Sequence, residues 1–273
     1  MISMGIDIGG STTKIVGMDE NGKIIDLFKV TATDAVTSAF GAFGRFINSN
    51  GVKLGDIKNV YVTGVGSSYL NDDIYGIKAT RADEFQCIGE GGLYLTGLNE
   101  AIIVSMGTGT ALVKAQNGKF EYLGGTGVGG GTLIGLSELM LNVRNVESIS
   151  ELAANGDLSK IDLTIGDISK EKINILQPHA TAANFGKVSD LASKSDIALG
   201  ILNLVVQTAG MMAIFAARPN NIRDIILTGN LSQISQINLI KDDLAAMFNF
   251  RFTIPDNSQY ATAIGAALLA VKE

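Results

Sequence analysis

The chain has 273 residues, a formal net charge of −6 and 46% hydrophobic residues, a composition that indicates a globular protein with a sizeable core and excludes disorder. The acidic balance, without a Lys/Arg cluster, argues against nucleic acid as a partner. A single cysteine and a single histidine exclude a disulfide framework and a Cys/His zinc site, and they favour a reducing, cytoplasmic setting.

The first stretch predicts a strand, a glycine turn and a second strand. An apolar run that carries Asp7 enters the turn Gly9-Gly10-Ser11-Thr12 and continues past Lys14 as another apolar run. Glycines in such a turn let backbone N–H groups approach a phosphate, and the hydroxyls and Lys14 add donors. A carboxylate on a buried strand needs a partner, and Mg²⁺ coordinated through water is one.

Elements then follow in a β-β-β-α-β-α-β-α order. Three strands are predicted between Ile2 and about Ala32, with the second turn at Asp19 to Gly22. Helical spacing of apolar residues, glycine turns and short β-rich runs predict the next four elements. These are a helix at Thr33 to Asn50, strands at Asn59 to Gly64 and Ile77 to Arg81, and a helix at Glu84 to Leu95.

The stretch that begins at Ala101 repeats the strand, glycine turn and strand of the first stretch. Asp7 aligns with Ser105, Gly9 with Gly107 and Thr12 with Thr110. An internal repeat of a three-stranded meander with a glycine hairpin predicts two lobes that face each other across a nucleotide cleft. The predicted fold is therefore α/β, a duplicated ribonuclease-H-like (actin-like ATPase) architecture, with lobes at 1–98 and 99–273.

The second half adds glycine clusters and helices. A strand is predicted at Lys119 to Leu123, followed by a glycine cluster at 124–132 and a helix from Leu133. Ile197 to Ala217 is uncharged and long enough to cross a bilayer, but Asn203 and Gln207 interrupt it, so we predict a core or dimer helix and no membrane association. The remaining elements are helices at 149–155, 188–217 and 261–271 and strands at 224–227 and 251–254.

Five blocks in this order resemble the type II pantothenate kinases, eukaryotic and staphylococcal, over nearly the whole chain. They are Asp7-Ile8-Gly9-Gly10-Ser11 with Lys14, Ala82 to Cys87, Ser105 to Gly109, Gly125 to Thr132, and Ala183-Asn184-Phe185-Gly186. The resemblance implies ATP-dependent phosphorylation of pantothenate, the first step of coenzyme A synthesis, by a homodimer that uses ATP and Mg²⁺.

The resemblance also implies residue roles. Glu84 corresponds to the catalytic base, and Asp7 to the residue that holds Mg²⁺. Acidic residues at a helix start more often only complement the helix dipole. The five family blocks favour the catalytic base over that interpretation for Glu84. The implied ATP-binding residues are Asp7, Gly9, Gly10, Ser11, Thr12, Lys14, Gly107, Thr108, Gly109, Thr110, Gly129, Gly130, Gly131, Gly229 and Asn230, with phosphate and adenosine expected at the helix start after Gly129; the implied acceptor-binding residues are Ser105, Thr108, Tyr122, Gly125 and Thr126.

Two acceptor-side positions depart from the family pattern. Tyr122 stands where these kinases carry an arginine, and Ala111 stands where relatives have a serine. Arg81 and Lys114 are the candidates to replace the missing charge. Two alternatives therefore stay open: a kinase of the same fold for a pantothenate derivative or a sugar, and an actin-like ATPase that switches a partner.

Overall fold

Two mixed β-sheets form the centre of the computed structural model, which describes residues 1–31, 34–71, 73–171 and 173–273. The strands of the first sheet are β1 (Ile2–Ile8), β2 (Thr13–Met18), β3 (Ile24–Val30), β4 (Ile57–Thr63), β5 (Asp73–Ile74) and β6 (Ile77–Arg81). Those of the second are β7 (Glu100–Met106), β8 (Thr110–Gln116), β9 (Lys119–Thr126), β12 (Asp224–Thr228) and β13 (Arg251–Thr253), while β10 (Leu163–Thr164) and β11 (Thr181–Ala183) pair separately.

The two sheets have the same topology, as the internal repeat predicts. The first runs β3-β2-β1-β4-β6-β5 and the second β9-β8-β7-β12-β13, so each is an antiparallel meander extended by two parallel strands. The first sheet has in addition the short antiparallel edge strand β5. The core strands β1 and β7 are buried because both of their faces are covered. The duplicated actin-like fold expected from the sequence is confirmed.

The two hairpins differ by one residue in their turns. In the first, Ile8 pairs with Thr13 across a four-residue turn, and in the second Met106 pairs with Thr110 across a three-residue turn. Thr110 therefore corresponds in register to Thr13, which is buried like it, and not to Thr12 as the sequence alignment assumed. The sequence alignment added the same number of positions to every residue of the first hairpin, so it could not detect that the second turn is one residue shorter.

Eight α-helices connect and cover the sheets in the described residues. Side chains cap several of them; in α1, Asp34 accepts a hydrogen bond from the Thr37 N–H at 2.6 Å, and Gly51 ends the helix in the left-handed region. The helices are α1 (Ala35–Asn50), α2 (Glu84–Thr96), α3 (Gly130–Leu141), α4 (Val146–Ala153), α5 (Ile165–Ile168), α6 (Lys194–Ala217), α7 (Ile237–Phe248) and α8 (Ala261–Lys272).

Helices α2 and α8 each pack on the sheet formed by the other half of the chain, an arrangement that we call the helix exchange. Helix α2 packs against β7, β8 and β9 of the second sheet, whereas α8, the last element, packs against β1, β2 and β4 of the first. The two helices also cross each other closely at Gly91 and Gly265, where a Cβ would overlap backbone atoms of the other helix. The division at 98/99 stays a prediction, and these two helices do not follow it.

Helix α6 is a core helix of the second lobe. The stretch from Lys194 to Asn220 is apolar and long enough to span a bilayer, but 61% of its most apolar window is buried inside the protein. The helix begins at Lys194 because Ser193 and Asp196 form a capping box, so the helix predicted from Val188 starts six residues too early. Ala32 and Thr33, where we placed a strand end and a helix start, lie outside the described residues.

Candidate active site

The tips of the two glycine hairpins face each other across the cleft. A Cβ added to Gly10 would lie 3.5 Å from the Thr108 hydroxyl oxygen, so the two hairpin tips lie within van der Waals reach of each other. Asn230, in the turn after β12, donates a hydrogen bond from Nδ2 to the Thr12 hydroxyl at 3.2 Å. This hydrogen bond connects a turn of the second lobe to the hairpin of the first, as we expect if both hairpins contact one polyphosphate.

Both hairpin tips offer backbone donors to a ligand. None of the described residues accepts a hydrogen bond from the N–H groups of residues 10–12 or 107–109. Backbone N–H groups that converge without protein acceptors form an anion-binding concavity. The geometry therefore fits a polyphosphate between the hairpins.

Asp7 and Lys14 form a buried ion pair at the base of the first hairpin. The two residues are register partners on β1 and β2, and Lys14 Nζ lies 3.3 Å from Asp7 Oδ2. Asp7 is 7% exposed and Lys14 is also 7% exposed. Gly64 approaches from β4, where any Cβ would lie 2.6 Å from Asp7 Oδ1. The pair places one fixed cation and one carboxylate beside the phosphate site.

The residues around Asp7 fit Mg²⁺ held jointly with a nucleotide. No cluster of three or more carboxylate, histidine or cysteine ligands occurs among the described residues, so the protein alone forms no metal cage. Mg²⁺ usually keeps several waters and binds through one or two carboxylates together with substrate phosphates. Asp7 beside the hairpin donors meets that requirement.

The start of helix α2 fixes Glu84 at the cleft. Strand β6 ends at Arg81, and the Ala82 N–H then donates to the Val62 carbonyl at 2.8 Å. Asp83 caps the helix by accepting a hydrogen bond from the Gln86 N–H at 2.7 Å. Glu84 is therefore the first residue of α2, and its half-buried side chain lines the same cavity as Asp7 and Lys14.

The surroundings of Glu84 make its carboxylate a stronger base than an exposed one. Burial raises the pKa of Glu84, the charges of Asp7 and Asp83 raise that pKa further, and Lys14 lowers it. A raised pKa brings a carboxylate closer to the range in which it accepts a proton from an attacking hydroxyl. This electrostatic setting supports the base role expected for Glu84.

This shift predicts how activity depends on pH. If Glu84 is the base, the acidic limb of the kcat/KM profile should lie above the ordinary pKa of glutamate, because a base acts in its deprotonated form. Asp83→Asn should move that limb to lower pH, since asparagine caps a helix as well as aspartate but carries no charge. An acidic limb at or below the ordinary glutamate pKa, or one unmoved in the variant, would contradict the electrostatic argument.

A cavity of about 470 Å³ between the lobes brings most predicted site residues together. Its lining also includes Val65, Gly127 and Thr262, which the sequence analysis did not assign to the site, and Ala111, which it placed on the acceptor side. Val65 follows the glycine turn predicted after β4, and that turn was the available signal for it. The predicted residues that line the cavity are Asp7, Gly9, Gly10, Ser11, Thr12, Lys14, Glu84, Ser105, Gly107, Thr108, Gly109, Thr110, Tyr122, Gly125, Thr126, Gly229 and Asn230.

The Gly129 to Gly131 segment is used differently from the prediction. The N–H groups of Gly130 and Gly131 donate to the carbonyls of Gly107 and Thr108, both at 2.9 Å, so they brace the second hairpin and are not free to bind phosphate. Gly129 packs on the same hairpin, because a Cβ there would lie 2.7 Å from its backbone. Gly130 and Gly131 still line an adjoining cavity of about 660 Å³ that is open to a nucleoside.

The fold recurs in a solved structure with an ATP analogue. The activator of the 2-hydroxyisocaproyl-CoA dehydratase from Clostridium difficile, with bound ADPNP, has a TM-score of 0.74, 21% identity, and coverage of 100% of this chain and 95% of that one. Two lobes of duplicated topology with two facing glycine hairpins define a protein of the actin-like ATPase fold class.

Sequence relatives narrow the class to a family. The Fumble family profile matches residues 98–252. A type II pantothenate kinase of Bacillus anthracis is 30% identical over 250 residues, with coverage of 84% of this chain and 82% of the relative. Another, from Bacillus cereus strain G9842, is 29% identical over 280 residues and aligns over 99% of each chain. The chain belongs to the Fumble family, together with the type II pantothenate kinases.

Proposed function

We propose that this protein is an ATP-dependent kinase that phosphorylates the primary alcohol of pantothenate to give 4′-phosphopantothenate. The observation that carries the proposal is one cavity in which Glu84 lies with the Asp7–Lys14 pair and both glycine hairpins. Phosphoryl transfer needs phosphate cradles, a metal and a group that accepts the proton of the attacking hydroxyl, and this cavity offers residues for each.

The reaction assigns one task to each group. Lys14 and the N–H groups of the two hairpins hold the β- and γ-phosphates. Asp7 would hold Mg²⁺, and the bound ion would neutralise phosphate charge. Glu84 accepts the proton of the acceptor hydroxyl while the oxygen of that hydroxyl forms a bond to the γ-phosphorus. The bond from that phosphorus to the β–γ bridging oxygen breaks, and ADP leaves.

A panel assay tests the function. ADP release is measured with ATP and pantothenate, pantetheine, pantoate or an N-acetylhexosamine, and mass spectrometry identifies the phosphorylated product. Phosphorylation of pantothenate supports the proposal. Transfer to pantetheine, to pantoate or to the sugar alone would replace it with the same-fold kinase for that acceptor, and slow ATP hydrolysis that no acceptor stimulates would favour an ATPase switch.

We expect activity to require a divalent cation held by Asp7. Chelation should abolish turnover, and Asp7→Asn should raise the Mg²⁺ concentration for half-maximal activity about tenfold or more, because a neutral amide binds the hydrated ion more weakly. A Mg²⁺ titration of kcat for both proteins measures this. Unchanged Mg²⁺ dependence in the variant would remove Asp7 from the metal site.

The proposal includes a homodimer in the cytoplasm. Phe215 on α6 is 59% exposed, and Met211 and Met212 on the same helix are only partly buried, so this helix offers apolar surface to a second copy. Cys87 is free and buried, which fits a reducing compartment. Light scattering of the purified protein measures the oligomeric state.

A further inference from the structure

Thr63, the last residue of β4, lies between the strand of Asp7 and the start of the helix that carries Glu84. Its side chain is fully buried, and its register partner on β1 is Asp7. The Thr63 hydroxyl donates a hydrogen bond to the carbonyl of Ala82 at 3.1 Å, two residues before Glu84. One buried polar side chain therefore connects the strand of the expected metal ligand to the helix of the expected base.

Three hydrogen bonds hold the segment between β6 and α2. Two of them, a backbone bond to β4 and the side-chain cap of α2, are of the kinds that end a strand and begin a helix. The Arg81 side chain, just before this segment, donates to the Leu70 carbonyl at 2.8 Å and does not line the cavity. Among the described residues no backbone N–H donates to the Ala82 carbonyl, so the third bond, from the Thr63 hydroxyl, fixes that side of the peptide.

The equivalent residue of the second lobe has a different partner. Thr228 ends β12 and is as buried as Thr63. Its register partner is Ser105, the residue that aligns with Asp7 in the internal repeat. The Thr228 hydroxyl donates to the Val104 carbonyl at 3.3 Å, within the sheet, whereas the Thr63 hydroxyl bonds the segment that leads into a helix. The repeat therefore supplies an internal comparison for the role of Thr63.

We infer that Thr63 is a positioning residue for phosphoryl transfer, and that its hydroxyl fixes the Glu84 carboxylate relative to Asp7 by holding the start of α2. The inference rests on the proposed function, in which Glu84 is the base. A general base must lie within hydrogen-bond reach of the proton that it accepts, and a misplacement of about 1 Å can cost about 10²-fold in rate. Thr63 does not line the cavity, so it acts through Glu84 and not on the substrate.

The experiment is a double-mutant cycle of Thr63→Val and Glu84→Gln, with ADP release measured for all four proteins. Valine keeps the branched shape of threonine and its preference for strands, and it removes the hydroxyl. We expect Thr63→Val to lower kcat about tenfold or more, while KM for ATP stays within about twofold because both hairpins are unaltered. In the Glu84→Gln protein the same substitution should lower kcat by less than about twofold, since the carboxylate that Thr63 positions is already absent.

Thr63→Ser and Thr228→Val are the matched controls. Thr63→Ser retains the hydroxyl and should keep most of the kcat that Thr63→Val loses. Thr228→Val removes an equally buried hydroxyl, and any effect that it has on kcat should be the same with and without Glu84. Thermal unfolding shows whether each variant is folded. Should Thr63→Val fail to fold, Thr63→Ala takes its place in the cycle, because it also lacks the hydroxyl and adds no atoms.

Each result separates this inference from the function on which it rests. An unchanged kcat in Thr63→Val, or an equal loss with and without Glu84, would overturn the positioning role and leave the kinase proposal standing. An unchanged kcat in Glu84→Gln would overturn the base assignment of the proposed function, and the positioning role with it.

Discussion

Replacing Glu84 with glutamine is expected to lower kcat by about 10²- to 10⁴-fold, the usual contribution of a general base. ATP affinity should change little, because both hairpins and Lys14 remain in place. The variant should also be at least as stable as the unaltered protein at neutral pH. The raised pKa of Glu84 means that its protonated form favours folding, and this contribution is lost as pH rises through the folded-state pKa.

Glu90→Gln is the matched control for this substitution. Glu90 lies on the same helix and contacts Lys272 away from the cavity, so its loss should leave kcat unchanged. Nucleotide titration and thermal unfolding of both variants separate a catalytic defect from a folding defect. Unchanged turnover in Glu84→Gln would remove Glu84 from the proposed reaction.

Gly265→Ala is expected to destabilise the protein by about 3 kcal/mol or more, the upper range of overpacking, because its Cβ would overlap the Cys87 carbonyl oxygen. Backbone atoms of α2 cannot move aside as a flexible side chain can. A loss of this size lowers Tm by about 6 to 12 °C in a protein of roughly this length. Thermal unfolding by circular dichroism measures the shift.

Gly41→Ala is the opposite case in the same protein. Gly41 lies on the exposed face of α1 with no atom within 4 Å of an added Cβ. Alanine in a helix interior is more favourable than glycine by about 0.5 to 1 kcal/mol, so Tm should rise slightly. A Tm for Gly265→Ala at or above that of the unaltered protein would show that the helices separate at little cost.

The three-stranded meander of each sheet and its glycine hairpin could be predicted from the sequence. Asp7 and Lys14 were assigned to adjacent strands because apolar runs flank a glycine turn, and pairing across that turn follows from geometry. The exchange of α2 and α8 could not be predicted, since it depends on which surfaces pack in three dimensions. Gly91 and Gly265 were visible as small residues on helices, but nothing in the chain states that they meet.

Part of the candidate site could also be predicted. The hairpin residues were predicted to lie together and do line one cavity, because a hairpin tip is a local structure, whereas the hydrogen bonds of Gly130 and Gly131 depend on a distant hairpin. The stack of Phe85 on Tyr122 joins residues from the two halves of the chain and has no local signal. The position of Tyr122 was assigned by resemblance, and its surroundings came from the structure.

The exchanged helices also determine the order in which the protein can fold. Strand β1 is synthesised long before α8, yet the face of β1 around Gly5 is covered by Ala263 and Ala267 of α8. Residues 1–100 therefore expose an apolar sheet surface until α8 has been made. The nucleotide cleft can form only after α8 has packed on β1, and a chain truncated before residue 261 should be captured by chaperones or degraded.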